Sequence, residues 1–107
     1  MISKKHKISH SEFMQYLRGK HHIFSAGQVI ITQKYGKNPI KCAVIVPKKV
    51  YPKAHDRNAI KRFFYEILVK NLSLLESQNM HVVILLKTPI KSEKQAITTE
   101  INALFIK

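Results

Sequence analysis

The run His81-Val82-Val83-Ile84-Leu85-Leu86-Lys87 is nearly all apolar and rich in β-branched residues. A half-exposed strand alternates apolar with polar side chains; a run without alternation is expected of a strand covered on both faces. The chain must therefore build a sheet around this segment and lay other elements over it. With 107 residues it is too short for two independent cores, so residues 1–107 are read as one domain. Val82–Leu86 is the longest apolar run and falls far short of a bilayer span.

The other elements follow from local signals. Ser9 with Glu12 forms a capping box, and Ile8 with Phe13 sits at the positions of a hydrophobic staple, so a helix opens near Ser9. Phe13, Tyr16 and Leu17 form its apolar stripe, and Gly19 is read as its left-handed stop. Val29–Lys34 and Ile40–Val46 read as strands, with Phe24 at a short extra one. The turn chemistry of Tyr35-Gly36-Lys37-Asn38-Pro39 predicts that the two main strands form a hairpin. A central helix is expected over Arg57–Leu72, with Asp56 as N-cap and Ile60, Phe63, Phe64, Ile67, Leu68 and Leu72 on its buried face. Asn58, Lys61, Arg62 and Tyr65 fall on the other side of that wheel. Residues 73–79 read as a loop. Ser92 with Gln95 is a second capping box, opening a last helix with Ile97, Ile101, Leu104 and Phe105 inward. The predicted class is α+β: a small mixed sheet of about four strands with three helices, in the order α-β-β-(β)-α-β-α. The strand–helix–strand segment from Ile40 to Leu86 should pair its strands in parallel.

Charge narrows the function. Nineteen Lys and Arg against six Asp and Glu give a formal net charge of +13. Residues 1–62 carry 14 basic and 2 acidic side chains, a net of +12, whereas residues 63–107 carry 5 and 4, a net of +1. Scattered lysines serving solubility would be spread evenly. This distribution describes a basic surface on a neutral scaffold, and a polyanion is the partner that suits it. Residues 1–7 read as a flexible basic arm. Nothing in the first residues resembles a signal peptide, and the lone Cys42 excludes a disulfide framework, so a cytoplasmic setting is expected. No membrane partner is expected.

The segment Arg57-Asn58-Ala59-Ile60-Lys61-Arg62 is the sharpest local feature. Cations in the first turn of a helix oppose its dipole, by roughly 0.3–1 kcal/mol each, unless an anion binds there. Lys48, Lys49 and Lys53 precede it and could clasp the same phosphate backbone. Aromatic rings among the basic residues (Phe13, Tyr16, Phe24, Tyr35, Tyr51) could stack bases, or simply fill the core. His21-His22 lacks metal-ligand spacing, and Cys42 fits a buried, inert position in a strand. Asp56 is the only aspartate and the five glutamates do not cluster, so phosphodiester hydrolysis through protein-bound metal is not expected. No phosphate-binding Gly loop or nucleophile elbow is present. A helix–turn–helix would need a helix just before Arg57, where strand Ile40–Val46 lies instead.

These residues resemble the bacterial ribonuclease P protein component. The similarity runs over nearly the whole chain, through the opening helix with Phe13, Ala43-Val44-Ile45-Val46 and Pro47-Lys48-Lys49-Val50. It is most specific at Arg57–Arg62, which resembles the family's Arg-Asn-Arg-x-Lys-Arg signature, with Ala59 in place of the second arginine. The resemblance implies a ribonucleoprotein that matures the 5′ end of transfer RNA, with cleavage carried by a catalytic RNA and with Mg²⁺ held mainly by that RNA rather than by the protein. It implies two partners, the catalytic RNA and the single-stranded 5′ leader of precursor transfer RNA, and no need for a protein oligomer. Arg57, Asn58, Lys61 and Arg62, with Lys48, Lys49 and Lys53 beside them, match the face toward the catalytic RNA. Phe13, Leu17 and Tyr16 match the leader cleft, with Leu17 where an aromatic is common. The resemblance also implies an unusual left-handed crossover, where general chirality predicts a right-handed one. The residues without the resemblance leave another reading open, a ribosomal-protein-like basic RNA-binding module with no part in catalysis.

Overall fold

The computed structural model describes Ile8, residues 16–33 and residues 40–106. The expected basic arm, the Ser9–Glu12 capping box, Phe13 and the turn at 35–39 lie outside the described residues. Four strands, β1 (Lys20–Phe24), β2 (Gly27–Gln33), β3 (Cys42–Ile45) and β4 (Met80–Leu86), form one sheet in the order β1-β2-β4-β3. Three helices are described: α1 (Ala54–Lys70), α2 (Leu72–Ser77) and α3 (Lys94–Phe105). The class is α+β with a mixed sheet, as the element order predicts.

The apolar run explains the topology. β4 is central, antiparallel to β2 on one side and parallel to β3 on the other. The strands flanking α1 are thus parallel, as expected. The expected hairpin between Val29–Lys34 and Ile40–Val46 is corrected: β2 and β3 never pair, because β4 lies between them. The real hairpin joins β1 to β2 through Ser25-Ala26. Its tip is fixed by distant residues. The Ser25 N–H and hydroxyl donate to the two carboxylate oxygens of Glu100, at 3.1 and 2.8 Å. A Cβ at Gly27 would collide with the Leu85 carbonyl oxygen, so the close approach of β2 to β4 requires glycine there.

Register divides the sheet into two faces. Val29, Ile31, Cys42, Val44, Val82, Ile84 and Leu86 join Phe64, Ile67, Leu68, Leu75, Ile97, Ile101 and Phe105 in the main core under the helices. Phe24 meets Phe64 edge-on there, with ring centroids 6.0 Å apart. The other face carries a smaller buried cluster of Ile30, Val83 and Tyr16.

Several local expectations change. α1 begins at Ala54, with Lys53 at its N-cap and no capping side chain, so Asp56 is not the cap but lies within the first turn. α3 opens after Glu93 without a side-chain cap, so the Ser92–Gln95 box does not form. The expected loop at 73–79 contains α2, which buries Leu75 and ends where Asn79 takes a left-handed φ of 54°. Gly19 is not a left-handed stop, since no described glycine has positive φ. A Cβ there would collide with Thr32 Oγ1 and the Ile31 carbonyl, so it is the close approach to β2 that demands glycine.

Candidate nucleic-acid interface

The basic residues of the central segment are gathered by one arginine. After β3 the chain turns at Pro47, whose carbonyl accepts the N–H groups of Val50 and Tyr51 at 3.0 and 3.1 Å. From the second turn of α1, Arg57 reaches back, and its Nη1 donates to the carbonyls of Tyr51 at 3.0 Å and Pro52 at 2.7 Å. Tyr51 anchors the other side of the loop, its hydroxyl accepting the Ile90 N–H at 2.8 Å. The loop carrying Lys48, Lys49 and Lys53, all exposed, is thereby held against the start of α1. Asn58 and Arg62 are exposed and Lys61 half-buried, and their spacing keeps them on one stripe of the helix.

The structure thus places six of the seven residues expected on the RNA face on the pinned loop and the adjoining helix stripe, Lys61 half-buried and the other five exposed. It gives the seventh, Arg57, a second task as the clamp that shapes it. The expected dipole penalty on Lys61 and Arg62 does not arise. Because α1 starts at Ala54, Arg57 is its fourth residue, and Lys61 and Arg62 lie in its third turn. There the terminal dipole has faded, so the cations carry no penalty from it. Ala59 is exposed on the same helix, and a longer side chain would meet no core there. Tyr65 does not belong to the free stripe. It is half-buried, and its hydroxyl accepts the Val44 N–H at 3.2 Å, closing part of the outer edge of β3. Burial raises its pKa above the ordinary tyrosine value.

The sheet face away from the helices is only partly covered. Leu17, Ala43 and Ile45 are half-buried against the Tyr16–Ile30–Val83 cluster. Further along the register lie Leu85, half-buried, and Ile23, 83% exposed. Gln28 lies between Ile23 and Leu85, so the apolar strip runs through Leu17, Val83, Leu85 and Ala43 and ends at Ile45, three residues before Lys48. Of the residues expected to wall a leader cleft, Leu17 lies at this strip. Tyr16 is only 5% exposed, and its ring sits 5.2 Å from that of His81, so little of it is open to a base. Phe13 lies outside the described residues, as does Tyr35. Phe24 and Tyr51 are committed to packing and to the Ile90 hydrogen bond. His21 is held by Leu17, whose carbonyl accepts its Nε2–H at 2.8 Å.

Cys42 is fully buried, and burial pushes its thiol pKa up to about 12. Such a thiol is a packing residue, neither a nucleophile nor a ligand. Among the described residues no three His, Cys, Asp or Glu side chains converge to hold a metal. The chemistry this surface offers is binding: a pinned row of cations beside an apolar strip suits a phosphate backbone and unstacked bases.

Sequence comparison bears on the whole chain. The family described as Ribonuclease P matches residues 2–107. No curated protein matches the chain.

Proposed function

The chain belongs to the ribonuclease P protein family, the protein side of an enzyme that processes transfer RNA, and from that premise we propose that it acts by binding two RNAs at once. The loop and stripe of Lys48, Lys49, Lys53, Asn58, Lys61 and Arg62 take the phosphate backbone of the catalytic RNA. The apolar strip beside them, with Leu17 and with Phe13 from the preceding segment, takes the single-stranded 5′ leader of precursor transfer RNA.

The observation that carries this reading is the Arg57 clamp. A loop with three exposed lysines would ordinarily sample many arrangements. Two hydrogen bonds from one guanidinium fix it against α1, so the cations meet a backbone already arranged. Phosphate contacts of this kind position an RNA without reading its sequence.

On this reading the bond-breaking step belongs to the RNA partner, whose bound Mg²⁺ would supply the activated oxygen nucleophile. The chain's own part is to hold the leader and the catalytic RNA in register, which lowers the barrier by orientation rather than by new chemistry.

The test is reconstitution. Precursor transfer RNA is incubated with a bacterial ribonuclease P RNA at low Mg²⁺, with and without the purified chain, and also with the chain freed of all RNA. Cleavage is expected to rise when the chain joins the RNA, and the chain without RNA is expected to cut nothing. Cleavage by the RNA-free chain, or no stimulation by a folded chain at saturating concentration, overturns the reading.

A further inference from the structure

A cavity of about 490 Å³ lies at the far end of the molecule from the Arg57 clamp. It opens where β2 ends and β4 begins, under the last turn of α3. Ile31, Met80 and Leu104 form its apolar floor, and Arg18, Lys20 and His22 stand around it. The Lys48–Lys53 loop follows the opposite end of β3, which is parallel to β4. β1 and β3 are also the two outer strands of the sheet. The two basic regions are therefore separated both along β4 and across the sheet. Seven residues of β4 correspond to about 20 Å at some 3.3 Å per residue.

Three features distinguish this cavity from a solvated edge. Among the described residues no carboxylate lines it, and Arg18, Lys20 and His22 make no ion pair. Cations crowded round a concavity with apolar walls focus a positive potential, which is unfavourable unless an anion enters. Gly19, between Arg18 and Lys20, lies so tightly on Thr32 and Ile31 that the two flanking residues are held at the rim by backbone contact. Ile31, Met80 and Leu104 lie beside the cations, with Thr32 and Gln33 as uncharged polar neighbours, a mixture that suits a base more than a bare anion. The volume is within the range of sites for small organic ligands.

We infer that the cavity bounded by Arg18, Lys20, His22, Met80 and Leu104 is a separate nucleotide site, which takes a phosphate at its cationic rim and the attached base against its floor. Its occupant is one unit of a single RNA strand, held apart from the surface at α1. The inference rests on RNA being the chain's partner, but not on where the catalytic RNA binds.

The experiment follows backbone amide NMR shifts of the full chain during titration with hexauridylate, uridine 5′-monophosphate and inorganic phosphate in separate arms. Hexauridylate is expected to shift Gly19, Lys20, His22, Thr32 and Leu104, with uridine 5′-monophosphate reproducing that pattern more weakly. Inorganic phosphate should shift the rim without Leu104. The Arg18→Ala/Lys20→Ala double variant should lose the cavity shifts at least tenfold in apparent affinity, while shifts at Asn58 and Arg62 persist. An Arg18→Lys/Lys20→Arg variant should restore binding. Removing two cation–phosphate pairings should also flatten the dependence of log affinity on log salt by about 1.4 for a single strand. Silence at the cavity when Asn58 and Arg62 saturate overturns the inference. So does inorganic phosphate matching hexauridylate in both pattern and affinity, which would mark a bare anion trap. Cavity shifts without any at α1 would uphold this site and leave the role of Lys61 and Arg62 to titration with the catalytic RNA.

Discussion

Arg57 does two things that its place in a basic signature does not separate: it adds a charge, and it closes a loop. Arg57→Ala removes both, whereas Arg57→Lys keeps the charge on a side chain one bond shorter, which does not carry its nitrogen to where Nη1 meets the Tyr51 and Pro52 carbonyls. Hydrogen bonds from a charged donor contribute roughly 1.5–3 kcal/mol in net terms. Arg57→Lys is therefore expected to lower the melting temperature nearly as much as Arg57→Ala and to weaken the catalytic RNA complex too. If the lysine variant instead binds and melts like the parent, the residue serves by charge and the clamp is incidental. Cys42 supports a prediction with a definite sign. An unfolded thiol ionises near 8.5, whereas the buried one holds its proton to about 12. Between those values the unfolded chain has lost a proton that the native chain keeps. Stability should be flat in this respect below about pH 8 and fall as pH rises through that window. At neutral pH the native thiol should resist alkylation until denaturant exposes it; ready labelling of the folded chain near neutral pH would contradict its burial.

At the scale of elements, Lys61→Ala with Arg62→Ala separates binding from folding. Arg62 lies opposite the face of Phe64, Ile67 and Leu68, Lys61 borders that face with its stem half-buried, and neither is near enough to the helix start to interact with its dipole. The melting temperature in RNA-free buffer should fall only slightly, by the packing lost at the Lys61 stem. Affinity for the catalytic RNA should fall, and its salt slope should become shallower by about 0.7–0.9 for each phosphate that loses its cation. A lower melting temperature with the slope unchanged would reduce these residues to a solvated helix face. The buried face of α1, the parallel pairing across it and the central, doubly covered β4 are all readable from residue order, because hydrophobic period records burial directly. Strand order is not. The turn signal at 35–39 is local and says nothing about which strand pairs with which. β4 needs partners on both sides, and that separates β2 from β3. The true hairpin tip depends on Glu100, 75 residues away, and on Gly27 meeting Leu85. α2 is hidden because Ser73, Glu76 and Ser77 mask the leucines around its buried Leu75. In the candidate site, the cations of 48–62 are legible from charge and spacing, but the role of Arg57 as a clamp is not, since carbonyl acceptors leave no mark on a sequence.

Over the whole molecule, the neutral C-terminal part supplies most of the core, and the basic part supplies the surfaces. Residues 63–107 contribute the central strand and two of the helices; residues 1–62 contribute the sheet edges, the loop and the start of α1. The apolar strip lies on the sheet face away from the helices, whereas Ile31 and Met80 of the cavity face the helices, so a strand lying along the strip would meet phosphate partners at its Lys48 end. Phe13 is the residue that tests whether the leader takes this path. The staple position alone could explain a phenylalanine there, by contact with Ile8. Phe13→Leu keeps an apolar contact and removes the aromatic face. If a leader base stacks on that ring, precursor transfer RNA should bind the reconstituted enzyme more weakly by roughly 1–3 kcal/mol, a factor of about 5 to 150. Mature transfer RNA has no leader and should bind unchanged. The melting temperature reports separately on the staple. Equal weakening of both RNAs, or a variant that unfolds, would assign Phe13 to packing and move the leader elsewhere on the molecule. Loss confined to the precursor, with stability preserved, would assign a leader base to the Phe13 ring.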